Sequence, residues 1–228
     1  SGYTSARSVQ LSAVVASNGF TGSESAVGTF TGIDTITASA QSGEEITGLN
    51  ANAIFTLDGT PASTYATGGE TLTLNSFEVF TGNAGQDRFD ITGNQTATAN
   101  GGGGDDMLAI DDGVTFTGLF TGGLGVDTLD LSDFAAAQTF TLLGLGTTDG
   151  FQVNAGPISV AANDINAVVG GGGVDTVMGL NLDANWTLGA TDTYTSTNSL
   201  SISNVEIRDG GTGVDTFDIQ ANDLPAAF

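Results

Sequence analysis

The sequence predicts an all-β fold, a parallel β-solenoid (β-helix) of roughly ten rungs. Three observations lead there. Apolar and polar residues alternate in short runs, helix formers are scarce, and a Gly- and Asp-rich block recurs along the chain. A β-sandwich array is the alternative, because many short strands give similar alternation.

The alternation is clear in Leu72-Thr-Leu74, Thr115-Phe-Thr117, Thr139-Phe-Thr141-Leu142 and Leu200-Ser-Ile202. That period of two places every second side chain on one face of a strand. Gly, Asn and Asp clusters separate the runs and read as turns. Gly alone accounts for 35 of the 228 residues, while Lys and Arg together number 3. Only 132–138 (Ser-Asp-Phe-Ala-Ala-Ala-Gln) has a helical look, and it is short.

The recurring block is a Gly-rich turn, then Asp, then a short apolar strand. Its clearest copies are Gly122-Gly-Leu-Gly-Val-Asp-Thr-Leu-Asp130 and Gly210-Gly-Thr-Gly-Val-Asp-Thr-Phe-Asp218. Gly170-Gly-Gly-Gly-Val-Asp-Thr-Val-Met178 and Gly101-Gly-Gly-Gly-Asp-Asp-Met-Leu-Ala109 follow closely. Gly82-Asn-Ala-Gly-Gln-Asp-Arg-Phe-Asp90 and Thr31-Gly-Ile-Asp-Thr-Ile36 are weaker copies. The block aspartates are Asp34, Asp87, Asp106, Asp127, Asp175 and Asp215, at separations of 53, 19, 21, 48 and 40 residues. These intervals read as one or two units of roughly 20–26 residues. A longer repeat lies over them, because residues 70–91 align without a gap on 198–219. Upstream, Phe55-Thr-Leu57 and Tyr65 parallel Trp186-Thr-Leu188 and Tyr194.

A unit of that size cannot bury its own apolar face, so it must stack on its neighbours. Stacking makes residues 1–228 a single repetitive domain with equivalent residues about 4.8 Å apart. Alternation then points Leu129, Leu131, Phe89, Ile91, Phe217 and Ile219 inward, with Thr128 and Asp130 outward. Trp186 is expected in the core. Asp87, Asp106 and Asp127 form a column if their blocks lie on consecutive rungs. Like charges that close repel by roughly 0.8 kcal/mol per pair even in water. Two readings offset this: Ca²⁺ held by carboxylate and carbonyl oxygens, or hydrogen bonds from each block's own turn amides. The candidate metal ligands are Asp87, Asp105, Asp106, Asp127, Asp175 and Asp215. Asp105, Asp111 and Asp112 add acidity around Asp106, which makes that region the best single candidate for a metal.

Composition excludes several chemistries. Acidic residues number 26 against 3 basic (Arg7, Arg88 and Arg208), a formal net charge of −23, with no Lys, His or Cys. Ser/His and Cys/His nucleophiles, Schiff-base lysines and His/Cys zinc sites lack their atoms. Nucleic-acid binding lacks the cations that phosphate contacts need. No apolar run is long enough to span a membrane as a helix.

The blocks resemble the RTX-type calcium-binding nonapeptide, G-G-x-G-x-D-x-U-x. The context Val79-Phe-Thr-Gly-Asn-Ala-Gly-Gln-Asp87 with its β-rich spacers is similar to filamentous-haemagglutinin-like repeats of bacterial surface adhesins. The resemblance implies an extracellular or cell-surface location and a fibre, sheath or adhesin-stalk function, with Ca²⁺ as a stabilising ion and a surface or polysaccharide as ligand. The expectation is a structural protein, not an enzyme. A Ca²⁺-dependent folding module is the alternative. A hydrolase using only carboxylates, such as Asp127, Asp130 and Asp133, is a further one. Neither terminus carries a polar helix or charged cap, so the stack is expected to associate end to end.

Overall fold

The structure, a computed structural model, describes residues 5–39, 41–60 and 62–220. Its described residues contain strands and turns and no helix, and 132–138 is turn and loop. Strong β formers alternating with turn residues leave no stretch on which a helix could nucleate.

The chain begins with β1 (Ser8–Val14), β2 (Phe20–Glu24), β3 (Gly28–Ile33) and β4 (Thr35–Thr37). It continues with β5 (Glu45–Thr47), β6 (Ala53–Leu57), β7 (Ala62–Thr67) and β8 (Glu70–Asn75). Next come β9 (Val79–Ala84), β10 (Asp87–Ile91), β11 (Gln95–Thr96), β12 (Thr98–Gly103) and β13 (Met107–Ile110). After these are β14 (Phe116–Thr117), β15 (Phe120–Leu124), β16 (Thr128–Asp130), β17 (Thr139–Leu145) and β18 (Phe151–Asn154). Then follow β19 (Ala162–Ile165), β20 (Ala167–Val169), β21 (Thr176–Met178) and β22 (Ala184–Leu188). The last are β23 (Asp192–Thr195), β24 (Ser199–Ser203), β25 (Ile207–Asp209) and β26 (Asp215–Ile219).

Two open sheets of twelve described strands each hold nearly all of these. The first runs β25-β21-β17-β18-β19-β15-β12-β9-β5-β1-β2-β3, the second β26-β22-β23-β24-β20-β16-β13-β10-β6-β7-β8-β4. The two orders keep step, so each strand of the first sheet has a counterpart in the second, from β3 with β4 at one end to β25 with β26 at the other. We call each such pair a tier. A short sheet of β11 and β14 stands beside the middle tiers. The large sheets face each other across one continuous core. Phe55 on β6 meets Phe80 on β9 edge-on at 6.0 Å, and Phe89 on β10 meets Phe120 on β15 at 5.8 Å.

Most pairing is parallel, as expected. In the middle tiers the chain passes from sheet to sheet and each strand pairs with the next of its kind, β9 with β12 and β15, β10 with β13 and β16. In the second sheet Phe89, Leu108, Leu129 and Val168 stand in one register column and are buried. The inward positions expected for Leu129, Leu131, Phe89, Ile91 and Trp186 are found.

The intervals need a correction. The 53-, 48- and 40-residue gaps are not two plain units laid end to end. Each contains a three-stranded antiparallel meander: β6-β7-β8, β17-β18-β19 and β22-β23-β24 respectively, with a fourth at β1-β2-β3. Alternation does not distinguish a strand that returns beside its predecessor from one that crosses to the other sheet.

The meanders also show the longer repeat to be a duplication, with residues 7–91 equivalent to 138–219. Asn18-Gly-Phe20 matches Asp149-Gly-Phe151, and Gly48-Leu-Asn50 matches Gly179-Leu-Asn181. Phe55 lies 4.8 Å from Tyr65 and stacks on Phe89; Trp186 lies 4.8 Å from Tyr194 and stacks on Phe217. Each tyrosine oxygen crosses the core to accept one amide just beyond a strand of the first sheet, Leu49 N after β5 at 2.9 Å for Tyr65 and Leu180 N after β21 at 3.1 Å for Tyr194. Burial pushes the Tyr65 phenol up to about 12, so the hydroxyl stays protonated. Removing it leaves an amide without its acceptor, which costs about 1–3 kcal/mol. Tyr65→Phe and Tyr194→Phe are each expected to lower the melting midpoint by several degrees without changing the circular dichroism spectrum.

Candidate functional site: two ladders of corner carboxylates

The site is built where the chain turns from the first sheet to the second. β9, β12 and β15 each carry a buried glycine, Gly82, Gly101 or Gly122, and five residues later comes Asp87, Asp106 or Asp127. These aspartates directly precede or open β10, β13 and β16, in line with the register pairs Arg88 with Met107 and Met107 with Thr128. All three carboxylates are turned inward and buried.

Asp106 and Asp127 each cap the tier before their own. Asp106 Oδ1 accepts the amide of Asp87 at 2.7 Å, and Asp127 Oδ1 accepts that of Asp106 at 2.8 Å. On the next tier Asn166 takes over, its Oδ1 accepting the amide of Asp127 at 3.1 Å. At these positions the bonds run between tiers; the own-turn bond, one of the two sequence readings, is found at Asp175, whose Oδ2 accepts the amide of Gly171 in its own block at 2.7 Å. One strand of amides along the corner is satisfied by the side chains of the following strand. The other oxygen, Oδ2, lies over the Cα of the block's first glycine. A Cβ on Gly82, Gly101 or Gly122 would collide with Asp87, Asp106 or Asp127 respectively.

The rest of the motif follows from the same corner. The second position, Asn83, Gly102 or Gly123, has φ of 91°, 107° or 111°. The fourth, Gly85, Gly104 or Gly125, has φ of 128°, 121° or 136°. Those values exclude most side chains. The apolar residue two places after Asp enters the core column of Phe89, Leu108 and Leu129.

Electrostatics sets the protonation of the column. Burial pushes Asp87 and Asp127 up to about 6 and Asp106 up to about 7, against an ordinary 3.8. At Asp106 and Asp127 the accepted backbone amides oppose that rise and the neighbouring carboxylates add to it. Both oxygens of Asp87 and the Oδ2 atoms of Asp106 and Asp127 are buried without a hydrogen-bond partner. A protonated carboxyl suits such a place, because it carries no charge and has a proton to donate.

Of the six predicted ligands, then, the structure brings Asp87, Asp106 and Asp127 together. Asp105 sits beside them but faces outward, its Oδ1 accepting the amide of Val126 at 2.9 Å. Asp215 occupies the same corner on the last described tier, separated from Asp127 by four intervening tiers. Asp175 is a correction: its block turns from the second sheet into the first, so it lies at the opposite corner. Asp34 occupies the first corner on the first tier and is exposed. Among the described residues no group of three or more acidic side chains converges on one point.

The opposite corner has its own ladder, which sequence reasoning missed. Glu44 Oε2 accepts the amide of Arg7 at 2.7 Å, and Glu78 Oε2 accepts that of Glu44 at 2.9 Å. In the second half Asp175 Oδ1 accepts the amide of Gln138 at 2.6 Å, and Glu206 Oε2 accepts that of Asp175 at 2.7 Å. The match of Glu78 to Glu206 in the long repeat was the available signal. Two of the three arginines are used near the ends of the stack. Arg7 pairs with the buried Glu24 at 2.7 Å, and Arg208 pairs with Asp192. The pairing with Arg7, joined by amides of the following turn, holds Glu24 down at about 2.

No family model, curated protein or solved structure matches this chain. No helix among the described residues is long and apolar enough to cross a membrane.

Proposed function

We propose that the chain is a structural module, a β-solenoid rod that forms or extends an extracellular fibre, sheath or adhesin stalk. Three features support the solenoid reading. The two sheet orders keep step, the chain passes from sheet to sheet in the middle tiers, and β11 with β14 supplies a third wall there. The function rests on one observation above all: at both corners acids, namely Glu44, Glu78, Asp106, Asp127, Asp175 and Glu206, accept amides of a neighbouring tier. These acids tie neighbouring tiers together, as a rod under tension requires.

The test is shape and location. Twelve tiers at about 4.8 Å predict a rod of about 55–60 Å, visible by electron microscopy or X-ray scattering. Antibody added to intact source cells is expected to label the protein. A near-spherical particle, or labelling only after lysis, overturns the reading.

A second reading, a Ca²⁺-dependent folding module, draws on the unpartnered oxygens of Asp87, Asp106 and Asp127. A cation there would do what protons do in the first reading. Melting at pH 8 with Ca²⁺ or with chelator separates the two. The structural reading expects midpoints within about 2 °C of each other. A rise well beyond that with Ca²⁺ assigns the column to the metal.

A further inference from the structure

We infer that the rod binds a second copy of itself head to tail, with the last described tier (β25 and β26) receiving the first (β3 and β4) of the next copy. This rests on the rod reading above and adds the partner and the contact.

Three observations carry it. The first is an uncovered core position. Phe217 and Ile219 on β26 continue the inward column of Trp186 and Leu188, with which they pair in register. Their equivalents in the first half, Phe89 and Ile91, are fully buried, because β13 covers them; Phe217 is 45% and Ile219 60% exposed. The aromatic stack of Trp186 and Phe217 therefore has a covered face and an open one.

The second is matching polarity. β3 is antiparallel to β2, which is antiparallel to β1, so β3 runs in the sense of β1 and of β5, its parallel partner. β4 is parallel to β8, which by the same argument runs in the sense of β6. The strands of the first and last tiers thus share one direction in each sheet. A copy translated along the stack adds parallel strands to both sheets at once. A copy rotated end for end would present opposed strands.

The third is chemical. Along the first corner, the amides of Asp87 and Asp106 are accepted by the next tier's carboxylate and that of Asp127 by the next tier's Asn166. Asp215 has no described tier beyond it. The first tier offers Asp34 at that corner, exposed, and two residues later Ile36, half-buried and paired with the buried Leu74. Asp34-Thr-Ile36 placed on Asp215-Thr-Phe217 continues both the carboxylate ladder and the apolar column. The head around Ile36 also holds a cavity of about 260 Å³, in which Val27, Phe30, Ile33 and Ile36 line one part and Arg7, Glu24 and Glu44 another. Such a contact is heterologous and does not close, so it generates filaments.

The test uses the full chain at an ionic strength of about 0.15 M, where repulsion between its acidic flanks is largely screened. Light scattering and electron microscopy are expected to show linear oligomers that lengthen with concentration. Asp34→Lys or Ile36→Lys blocks the head, and Ile219→Lys blocks the tail. Each alone is expected to weaken self-association at least tenfold while the melting curve shows that the variant folds. A head-blocked variant mixed with a tail-blocked one retains one compatible pair of ends, so dimers form and nothing longer. Rod-shaped monomers at all concentrations overturn this inference and leave the rod reading intact. Oligomers that persist in the singly blocked variants also overturn it. A particle that is not a rod removes the reading beneath it.

Discussion

In the absence of added cations, the protein is expected to melt higher at pH 5 than at pH 8. The direction follows from the buried column. Asp87 and Asp127 are raised to about 6 and Asp106 to about 7, from 3.8. The fold therefore binds protons that the unfolded chain has released. Their stabilising effect is fully present below about pH 4 and is lost as pH rises through 6 to 7. One pKa unit corresponds to about 1.4 kcal/mol. If each carboxyl realises one unit, the change is about 4 kcal/mol, or roughly 10 °C for a chain of this length. Glu24 works the other way. Held at about 2 by Arg7, it contributes above its unfolded value of 4.5 and loses that contribution on further acidification. The optimum therefore lies in the mildly acidic range.

Asp106→Asn isolates the effect from the charge of the rest of the chain. Asparagine keeps the oxygen that accepts the Asp87 amide and replaces the carboxyl with a neutral group that also donates. The chain already uses this solution one tier beyond Asp127, where Asn166 accepts its amide. The variant is expected to melt higher than the parent at pH 8, by about 1–3 kcal/mol of stability. At pH 5 the two should nearly coincide, so the slope of midpoint against pH is shallower in the variant. A variant that is less stable than the parent at both pH values would show that the column holds charge, and would favour a bound cation.

How much of this was legible differs from residue to residue. The all-β class and the inward column of Phe89 and Leu129 follow from period-two alternation, a local property. So did the convergence of Asp87, Asp106 and Asp127, because their blocks are spaced by single plain tiers. Asp175 failed for the opposite reason: its block is as good a match as any, but it follows a strand of the second sheet, β20, where the blocks of Asp87, Asp106 and Asp127 follow strands of the first. Strand return is decided by which neighbour a strand pairs with, and local sequence barely encodes that. The second ladder was hidden because Glu44 and Glu78 lie in no glycine block. The inward positions of Phe217 and Ile219 were legible in their register, while their exposure depends on what lies beyond the tier.

The four consecutive glycines at 101–104 give the most discriminating expectation, because the structure assigns them unequal roles. Gly101→Ala would drive a Cβ into Asp106 Oδ2 and to 2.6 Å from the carbonyl of Gly122. Gly104→Ala would place a Cβ on the carbonyl oxygen of Gly85 at a φ of 121°, a conformation alanine resists before any clash. Neither obstacle is the free end of a flexible side chain. Backbone on a neighbouring tier would have to move in both cases, and at Gly101 the packed carboxyl of its own tier as well. Each substitution is expected to cost about 4 kcal/mol or more, in the range reserved for overpacking and backbone strain. That corresponds to a fall of roughly 10 °C or more. Gly103, between them, has ordinary φ and nothing within 4 Å of its Cβ position. Gly103→Ala is expected to change stability by less than about 0.5 kcal/mol, as at any open surface site. Thermal melts of the three single variants decide the matter. If the motif served only to supply turn flexibility, all three alanines would act alike and mildly. If tier-to-tier packing dictates it, the motif's first and fourth positions collapse the stack and the third passes unnoticed. The same packing explains why Asn83 is tolerated at the second position of one block, where its side chain reaches the Gly48 carbonyl of the preceding tier at 3.4 Å.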